Sequence, residues 1–174
     1  IKQIIKSFIP SCIWEGGKDW QRERYDKYAQ QKLAAKIDSY KPDLIYERAA
    51  YLQTSVIKEA KKRQIPHIFE WNGPFMHERK KLYGNSAYFP IAKKNERIQL
   101  TDTQLNVVTS TAMRDYFAKK YQLPENKFLV VPNAIDIAKI QANSQIVAEL
   151  REKRQLQVKI VIGFVGQIMA WHGV

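Results

Sequence analysis

Helical and extended patterns alternate along this chain, and the alternation limits its fold more than any other feature does. Between Trp20 and Tyr40, apolar side chains recur at spacings of three and four, which predicts a helix with one buried face made of Tyr25, Tyr28, Ala29, Leu33, Ile37 and Tyr40. Lys41-Pro42 ends that helix, because the residue before a proline avoids the helical region. Short apolar segments then predict strands at 43–47, 67–70, 105–109, 128–131 and 159–165.

Helical patterns fill the intervals between these strands, at 50–63, 75–83, 86–103, 112–121 and 144–154. Strands that alternate with helices of this length form βαβ units around a parallel sheet. We therefore expect an α/β fold with a Rossmann-like parallel sheet and helices on both faces. Ligands of such sheets bind beyond the carboxyl ends of the strands, so the residues that follow each strand are the first candidates for a site.

The composition is strongly basic: 29 Lys and Arg against 17 Asp and Glu give a formal net charge of +12 in 174 residues. A hydrophobic share of 45% argues against disorder, because it supplies enough apolar material for a core. Three interpretations of the basic excess stay open: an ordinary solvated surface, a nucleic-acid footprint, or a face for anionic lipids or phosphorylated ligands. No helix-turn-helix, zinc-finger or RNP pattern is visible, so a nucleic-acid partner is not expected.

Residues for a metal site or a nucleophilic thiol are sparse. Cys12 is the one cysteine, which excludes an intrachain disulfide, and the Trp14-Glu15-Gly16-Gly17 segment after it resembles a turn. His67, His77 and His172 have no partner four residues away and no cysteine neighbours, so no metal is expected. No apolar run approaches the roughly 20 residues of a membrane span, and no signal peptide is visible.

Polar residues follow several predicted strands. Glu47-Arg48 follows the first, and arginine offers a planar set of donors for phosphate or carboxylate, with a surface ion pair as the ordinary alternative. After the second comes Glu70-Trp71-Asn72-Gly73-Pro74, whose acid and amide suit sugar hydroxyls and whose indole could stack on a sugar ring. Its alternative is a plain turn in which Asn72-Gly73 supplies a positive φ. Glu78-Arg79, one turn further, would alone be a solvated helix face.

Taken in order, these segments resemble the retaining glycosyltransferases of family 4, which have the GT-B fold. The resemblance covers roughly residues 41–174, and residues 1–40 add little to it. It is carried by Pro42-Asp43-Leu44-Ile45-Tyr46-Glu47-Arg48, Phe69-Glu70-Trp71-Asn72-Gly73-Pro74, Glu78-Arg79, Val108-Thr109-Ser110, Val130-Val131-Pro132-Asn133-Ala134-Ile135-Asp136, Ile162-Gly163-Phe164-Val165-Gly166 and Trp171-His172-Gly173-Val174.

The resemblance implies two Rossmann-like domains that face a cleft, the first holding the acceptor and the second the nucleotide-sugar donor. On this reading, residues 1–140 form the acceptor-side domain without its N-terminal part. Residues 141–174 form a linker helix and the first strand of the donor domain. The chain would then be a fragment that is inactive alone and prone to self-association through open sheet edges.

The implied reaction moves a sugar from a nucleotide-diphosphate sugar to a hydroxyl acceptor, including lipid- or polysaccharide-linked acceptors, without a metal or a further cofactor. Glu70 and Asn72 are the expected catalytic residues, and Arg48 and Glu78 are expected to help bind the acceptor. Three residues would approach the donor phosphates: Gly166, Gln167 and His172. The implied location is cytoplasmic, including peripheral contact with the cytoplasmic membrane face.

The sequence departs from the family pattern at several of these positions. Asn72 stands where some relatives have a histidine. Gln167 and His172 stand where an arginine and a lysine are common, and neutral Gln167 lacks a charge-assisted bond to phosphate. Asn133-Ala134 replaces the usual Asn-Gly, so a positive φ at Ala134 would be strained by its Cβ.

The alternative to an enzyme is a non-catalytic module that binds a membrane surface or an anionic ligand through its basic residues. Three clusters support that alternative: Lys58-Lys61-Lys62-Arg63, Arg79-Lys80-Lys81 and Lys93-Lys94-Arg97. Binding of this kind would weaken at high salt.

Overall fold

The computed structural model of the chain describes residues 9–166. The chain divides into two compact units, one ending at Pro132 and one beginning at Asn133. In chain order, the first unit contains α1 (Ser11–Tyr40), β1 (Ile45–Arg48), α2 (Ser55–Lys62), β2 (His67–Trp71), α3 (Phe75–Tyr83), α4 (Phe89–Asp102), β3 (Leu105–Val108), α5 (Thr111–Tyr121) and β4 (Phe128–Val130). The second unit contains α6 (Ser144–Lys153).

The four strands form one parallel sheet in the order β1-β2-β3-β4. Glu47 lies beside Phe69, Phe69 beside Asn106, and Asn106 beside Phe128. Each pair of neighbouring strands is joined by at least one helix, as a parallel crossover requires. The predicted α/β class and Rossmann-like parallel sheet are confirmed.

The two faces of the sheet differ in burial. Because alternate residues point to opposite faces, Glu47, Phe69 and Asn106 share one face, and Phe69 and Asn106 are fully buried there. The opposite face carries Tyr46 and, in register with each other, Arg48 and Glu70. Tyr46 and Arg48 are exposed and Glu70 is half-buried, so this second face is the accessible one.

The core lies against the buried face of the sheet. Trp71 is fully buried, and its ring lies 4.7 Å from that of Phe117 on α5. Its Nε1–H donates to Oδ1 of Asn106 at 2.9 Å, and the Asn106 amide donates to the Leu100 carbonyl at 3.1 Å. Because both ends of this polar chain are satisfied, the indole and the amide can be buried together. Ser110 caps α5, and its side chain accepts from the Met113 N–H.

α1 begins earlier than its apolar pattern suggests. The segment that resembles a turn, residues 14–17, is helical. Gly16 faces Ala87, and a Cβ at Gly16 would lie 3.3 Å from the Ala87 Cβ. The glycine therefore permits a close approach between α1 and the segment before α4, and it does not break the helix.

The prediction for the buried face of α1 is only partly correct: Ile37 is buried, and Ala29 and Leu33 are half-buried, but the tyrosines are not. Tyr25 and Tyr28 are 69% and 58% exposed, while Glu15, Asp19 and Asp26 are buried. Spacing identifies a stripe of similar residues, but the partners offered by the rest of the fold decide which stripe turns inward. Here those partners are hydrogen-bond donors, so α1 is attached largely through carboxylates.

Asp26 shows this attachment most clearly. Its Oδ2 accepts from the backbone N–H groups of Thr54 and Ser55 at 2.8 and 3.1 Å, and its Oδ1 accepts from the Ser55 hydroxyl at 2.5 Å. These donors lie at the N-terminal end of α2, where the first N–H groups of a helix lack partners within it. A side chain on one helix thus caps another, and α2 begins at Ser55 rather than near residue 50.

The segment predicted as the last strand, residues 159–165, forms no strand. Its Ile160 and Ile162 side chains are almost fully exposed. A strand is stabilised by hydrogen bonds to a neighbour, and the second unit has no other strand among its described residues. Its helix α6 is capped by Asn143, whose Oδ1 accepts from the Gln145 and Ile146 N–H groups.

Candidate active site

Glu70 lies at the carboxyl end of β2, on the accessible face of the sheet. The Tyr46 hydroxyl donates to its Oε2 at 2.8 Å, and the Asn72 amide donates to its Oε1 at 3.1 Å. Arg48 is the register partner of Glu70 on β1. The structure therefore brings together three of the residues singled out from the sequence, Arg48, Glu70 and Asn72, and adds Tyr46, which sequence reasoning did not select as a site residue.

The electrostatics of this group favour an ionised Glu70. The hydrogen bond from Tyr46 is the main reason that the pKa of Glu70 is lowered from its usual 4.5, followed by the bond from Asn72 and the charge of Arg48. Burial and the bond to Glu70 raise the pKa of Tyr46 above 10, which keeps its hydroxyl protonated. At neutral pH the group combines an acceptor carboxylate with phenol, amide and guanidinium donors, which suits binding of a hydroxylated ligand.

Glu78 lies in the first turn of α3 and reaches back toward the turn after β2. A Cβ at Gly73 would collide with the Glu78 carboxylate, so the two residues are in close contact. Burial raises the pKa of Glu78 above its usual 4.5, despite the opposing charge of His77. Among the described residues, no side chain forms a hydrogen bond or an ion pair with this carboxylate.

The role of Gly73 differs from the turn alternative considered from sequence. Neither Asn72 nor Gly73 has a positive φ, so the turn does not depend on a left-handed residue. Gly73 instead leaves the space that the Glu78 carboxylate occupies, a packing relationship that the turn pattern alone does not reveal. Ala134 likewise has no positive φ, and the strain expected from replacing glycine there does not arise.

Two neighbours of the site have structural roles that the sequence did not predict. Trp71 is buried in the core, so its ring cannot stack on a sugar. Arg79, expected on a solvated face, is 6% exposed. Its Nη2 lies 2.7 Å from Glu15 and 3.2 Å from Asp19, and its guanidinium covers the Tyr83 ring at 4.7 Å. Arg79 thus joins α3 to α1.

The loop after β1 is held by two amides of α4. Asn95 donates from Nδ2 to the Leu52 carbonyl at 3.2 Å, and Gln99 donates to the Ala50 carbonyl at 2.9 Å. The sequence signal for these residues was two amides four residues apart on one predicted helix. A search for apolar periodicity does not select polar residues, so it missed them. Their bonds position the loop beside Arg48.

An open cavity of 540 Å³ lies between this loop and α1. It is lined in part by Lys18, Gln21, Arg22, Tyr51 and Gln53.

The expected donor-side residues are only partly described. Gly166 is exposed, with a φ of 153°, whereas Gln167 and His172 lie outside the described residues. No three His, Cys, Asp or Glu side chains converge as a set of metal ligands in the described part of the chain. Within residues 9–166, no helix combines the length and apolar character needed to cross a bilayer.

Comparison with known proteins assigns the family. No curated protein matches the chain significantly. The family model described as Glycosyltransferase Family 4 matches residues 16–139, a range that includes the whole parallel sheet and the group around Glu70. The match covers well over half of the 174 residues, and the chain therefore belongs to Glycosyltransferase Family 4.

Proposed function

We propose that this chain provides the acceptor side of a retaining glycosyltransferase that transfers a sugar from a nucleotide-diphosphate sugar to a hydroxyl. Membership of the family supports a nucleotide-sugar donor and an acceptor in general terms. The observation that carries the proposal is the Glu70 carboxylate, held by Tyr46 and Asn72 at the carboxyl end of β2.

In this proposal Glu70 accepts a hydrogen bond from the attacking hydroxyl and orients it. Its two hydrogen bonds fix the carboxylate in one position, and orientation of this kind is a large part of catalysis. Asn72 and Arg48 donate to other oxygens of the acceptor. Glu78, with its raised pKa, exchanges hydrogen bonds with the acceptor from the other side of the turn.

The chemical step would pass through an oxocarbenium-like transition state, stabilised by groups that hold the leaving diphosphate. We assign the approach to that diphosphate to Gly166, Gln167 and His172. Because Gln167 is neutral, this contact has no charge-assisted bond from that position. The open cavity beside the loop after β1 offers polar side chains and Tyr51 for the remainder of the acceptor.

The test uses the full-length gene product with UDP-glucose, UDP-N-acetylglucosamine and GDP-mannose in turn, and the host's membrane fraction as the source of acceptors. We expect one donor to release its nucleoside diphosphate and to transfer its sugar with retained anomeric configuration, seen by NMR. Glu70→Gln should lower kcat/KM at least a hundredfold, while Glu149→Gln, on α6, should not. Inverted configuration in the product, or an unaffected Glu70→Gln variant, would refute the proposal.

A further inference from the structure

The acidic and basic side chains of α1 lie on different sides of the helix. Most carboxylates face the rest of the fold, and many of the cations face solvent. Four carboxylates point inward or lie against neighbouring elements, with side chains at most 17% exposed, namely Glu15, Asp19, Glu23 and Asp26. Asp38 is the exposed carboxylate of the helix, and it is paired with Arg63, the residue that follows α2. The outward cations therefore face solvent with little acidic charge among them.

The outer side also carries exposed aromatic rings covered by cations. Arg24 lies 4.9 Å from the Trp20 ring, Lys32 lies 5.0 Å from the Tyr28 ring, and Lys36 continues the row. Positions 20, 24, 28, 32 and 36 follow one another at intervals of four, so they form an inclined stripe on the solvent side. We call Ile13 and these five residues the outer face of α1. At about 1.5 Å per residue it is roughly 35 Å long.

An apolar groove continues the outer face toward the start of α1. It has a volume of 660 Å³ and is lined in part by Ile9, Ile13, Trp14 and Trp20. Trp20 is 47% exposed, an unusual position for a large ring in a solvated helix. The groove lies beside the first cations of the helix, so apolar and basic groups are presented in the same direction.

We infer that the outer face of α1 binds the surface of a bilayer that contains anionic phospholipid. Lys and Arg contact the headgroups, Trp and Tyr rings occupy the interfacial layer, and the apolar groove receives acyl-chain segments. Charge complementarity selects this occupant, because the outer face combines cations with apolar rings and contains no carboxylate. The inference does not depend on sugar transfer, since it rests on residues outside the group around Glu70.

The experiment compares flotation of the full chain with vesicles of pure phosphatidylcholine and vesicles in which one third is phosphatidylglycerol. We expect binding to the second kind alone. The triple variant Arg24→Gln, Lys32→Gln, Lys36→Gln should lower the partition coefficient about a hundredfold, because each basic residue near an anionic surface contributes about fivefold. Circular dichroism checks that helix content is unchanged.

A second triple variant, Lys93→Gln, Lys94→Gln, Arg97→Gln, removes the same charge from α4 and serves as the matched control. Its partition coefficient onto the anionic vesicles should fall less than tenfold. Brominated phosphatidylcholine should quench tryptophan emission in the unmodified chain, and less so in Trp20→Phe. Equal losses in both triple variants, quenching that does not depend on Trp20, or tighter α1-dependent binding to duplex DNA than to vesicles would overturn the inference.

Discussion

The Tyr46 hydroxyl donates to the Glu70 carboxylate at 2.8 Å, from one strand of the sheet to its neighbour. The two residues are 24 positions apart in sequence, and the parallel β1–β2 register brings them together. The bond orients the carboxylate at the edge of the accessible face and is the main cause of its lowered pKa. The catalytic proposal therefore depends on Tyr46 as well as on Glu70.

Replacing Tyr46 by Phe should raise the pKa of Glu70 toward 4.5. If activity requires the ionised carboxylate, the acid limb of the kcat/KM profile moves to higher pH, because protonation then occurs at higher pH. At neutral pH, loss of the orienting bond should lower kcat/KM about tenfold, as expected for a hydrogen bond to a charged group. Tyr40→Phe, at the exposed end of α1, is the control, and an unmoved acid limb in Tyr46→Phe would contradict the assignment.

Gly73→Ala should impair activity more than stability. The added methyl group displaces the Glu78 carboxylate, and a flexible side chain can move away at a cost of less than about 1 kcal/mol. We therefore expect a normal urea midpoint but a raised KM for the acceptor. Gly163→Ala, where a Cβ meets nothing within 4 Å, should change neither. A large loss of stability in Gly73→Ala would show that the turn backbone itself requires glycine.

Asp26→Ala should destabilise the fold by about 1–3 kcal/mol, the range for losing a helix cap and charged hydrogen bonds. The change leaves the Thr54 and Ser55 N–H groups without their acceptor in a buried setting. Urea denaturation gives the free energy of unfolding. Asp43→Ala, at an exposed position, should stay within about 0.5 kcal/mol of the unmodified protein, and similar values for both variants would argue against the cap.

Arg79→Met should cost about 3–5 kcal/mol, because it leaves the buried Glu15 and Asp19 carboxylates without this cation. The buried Glu15 side chain cannot be fully rehydrated without moving α1 from α3. Arg114→Met is the comparison: its partners Asp115 and Glu125 are exposed, so its loss should stay below about 1 kcal/mol. Thermal or urea unfolding distinguishes the two, and a stability loss at Arg79 no larger than at Arg114 would contradict a structural role.

Much of the fold follows from local pattern. The positions of β1 to β4 and of α3, α4 and α5 agree with their predicted ranges to within a few residues, because periodicity and turn residues act over short distances. The same patterns place Arg48 and Glu70 at strand ends. The strand predicted at residues 159–165 does not form. Its β-branched residues favour an extended backbone, but a strand also needs hydrogen bonds to a neighbouring strand, which a local pattern cannot supply.

The amino-acid sequence by itself determined the α/β class, the order of the elements and the polar residues that follow each strand, since these depend on neighbours along the chain. Only the tertiary structure decided which stripe of α1 is buried, that Trp71 and Arg79 are internal, and that Gly73 makes room for Glu78. The first two of these depend on partners distant in sequence, such as Asp19 for Arg79, 60 positions away, and the third depends on how the Glu78 side chain packs against the turn. Burial and hydrogen bonding between such partners are set when the elements pack together.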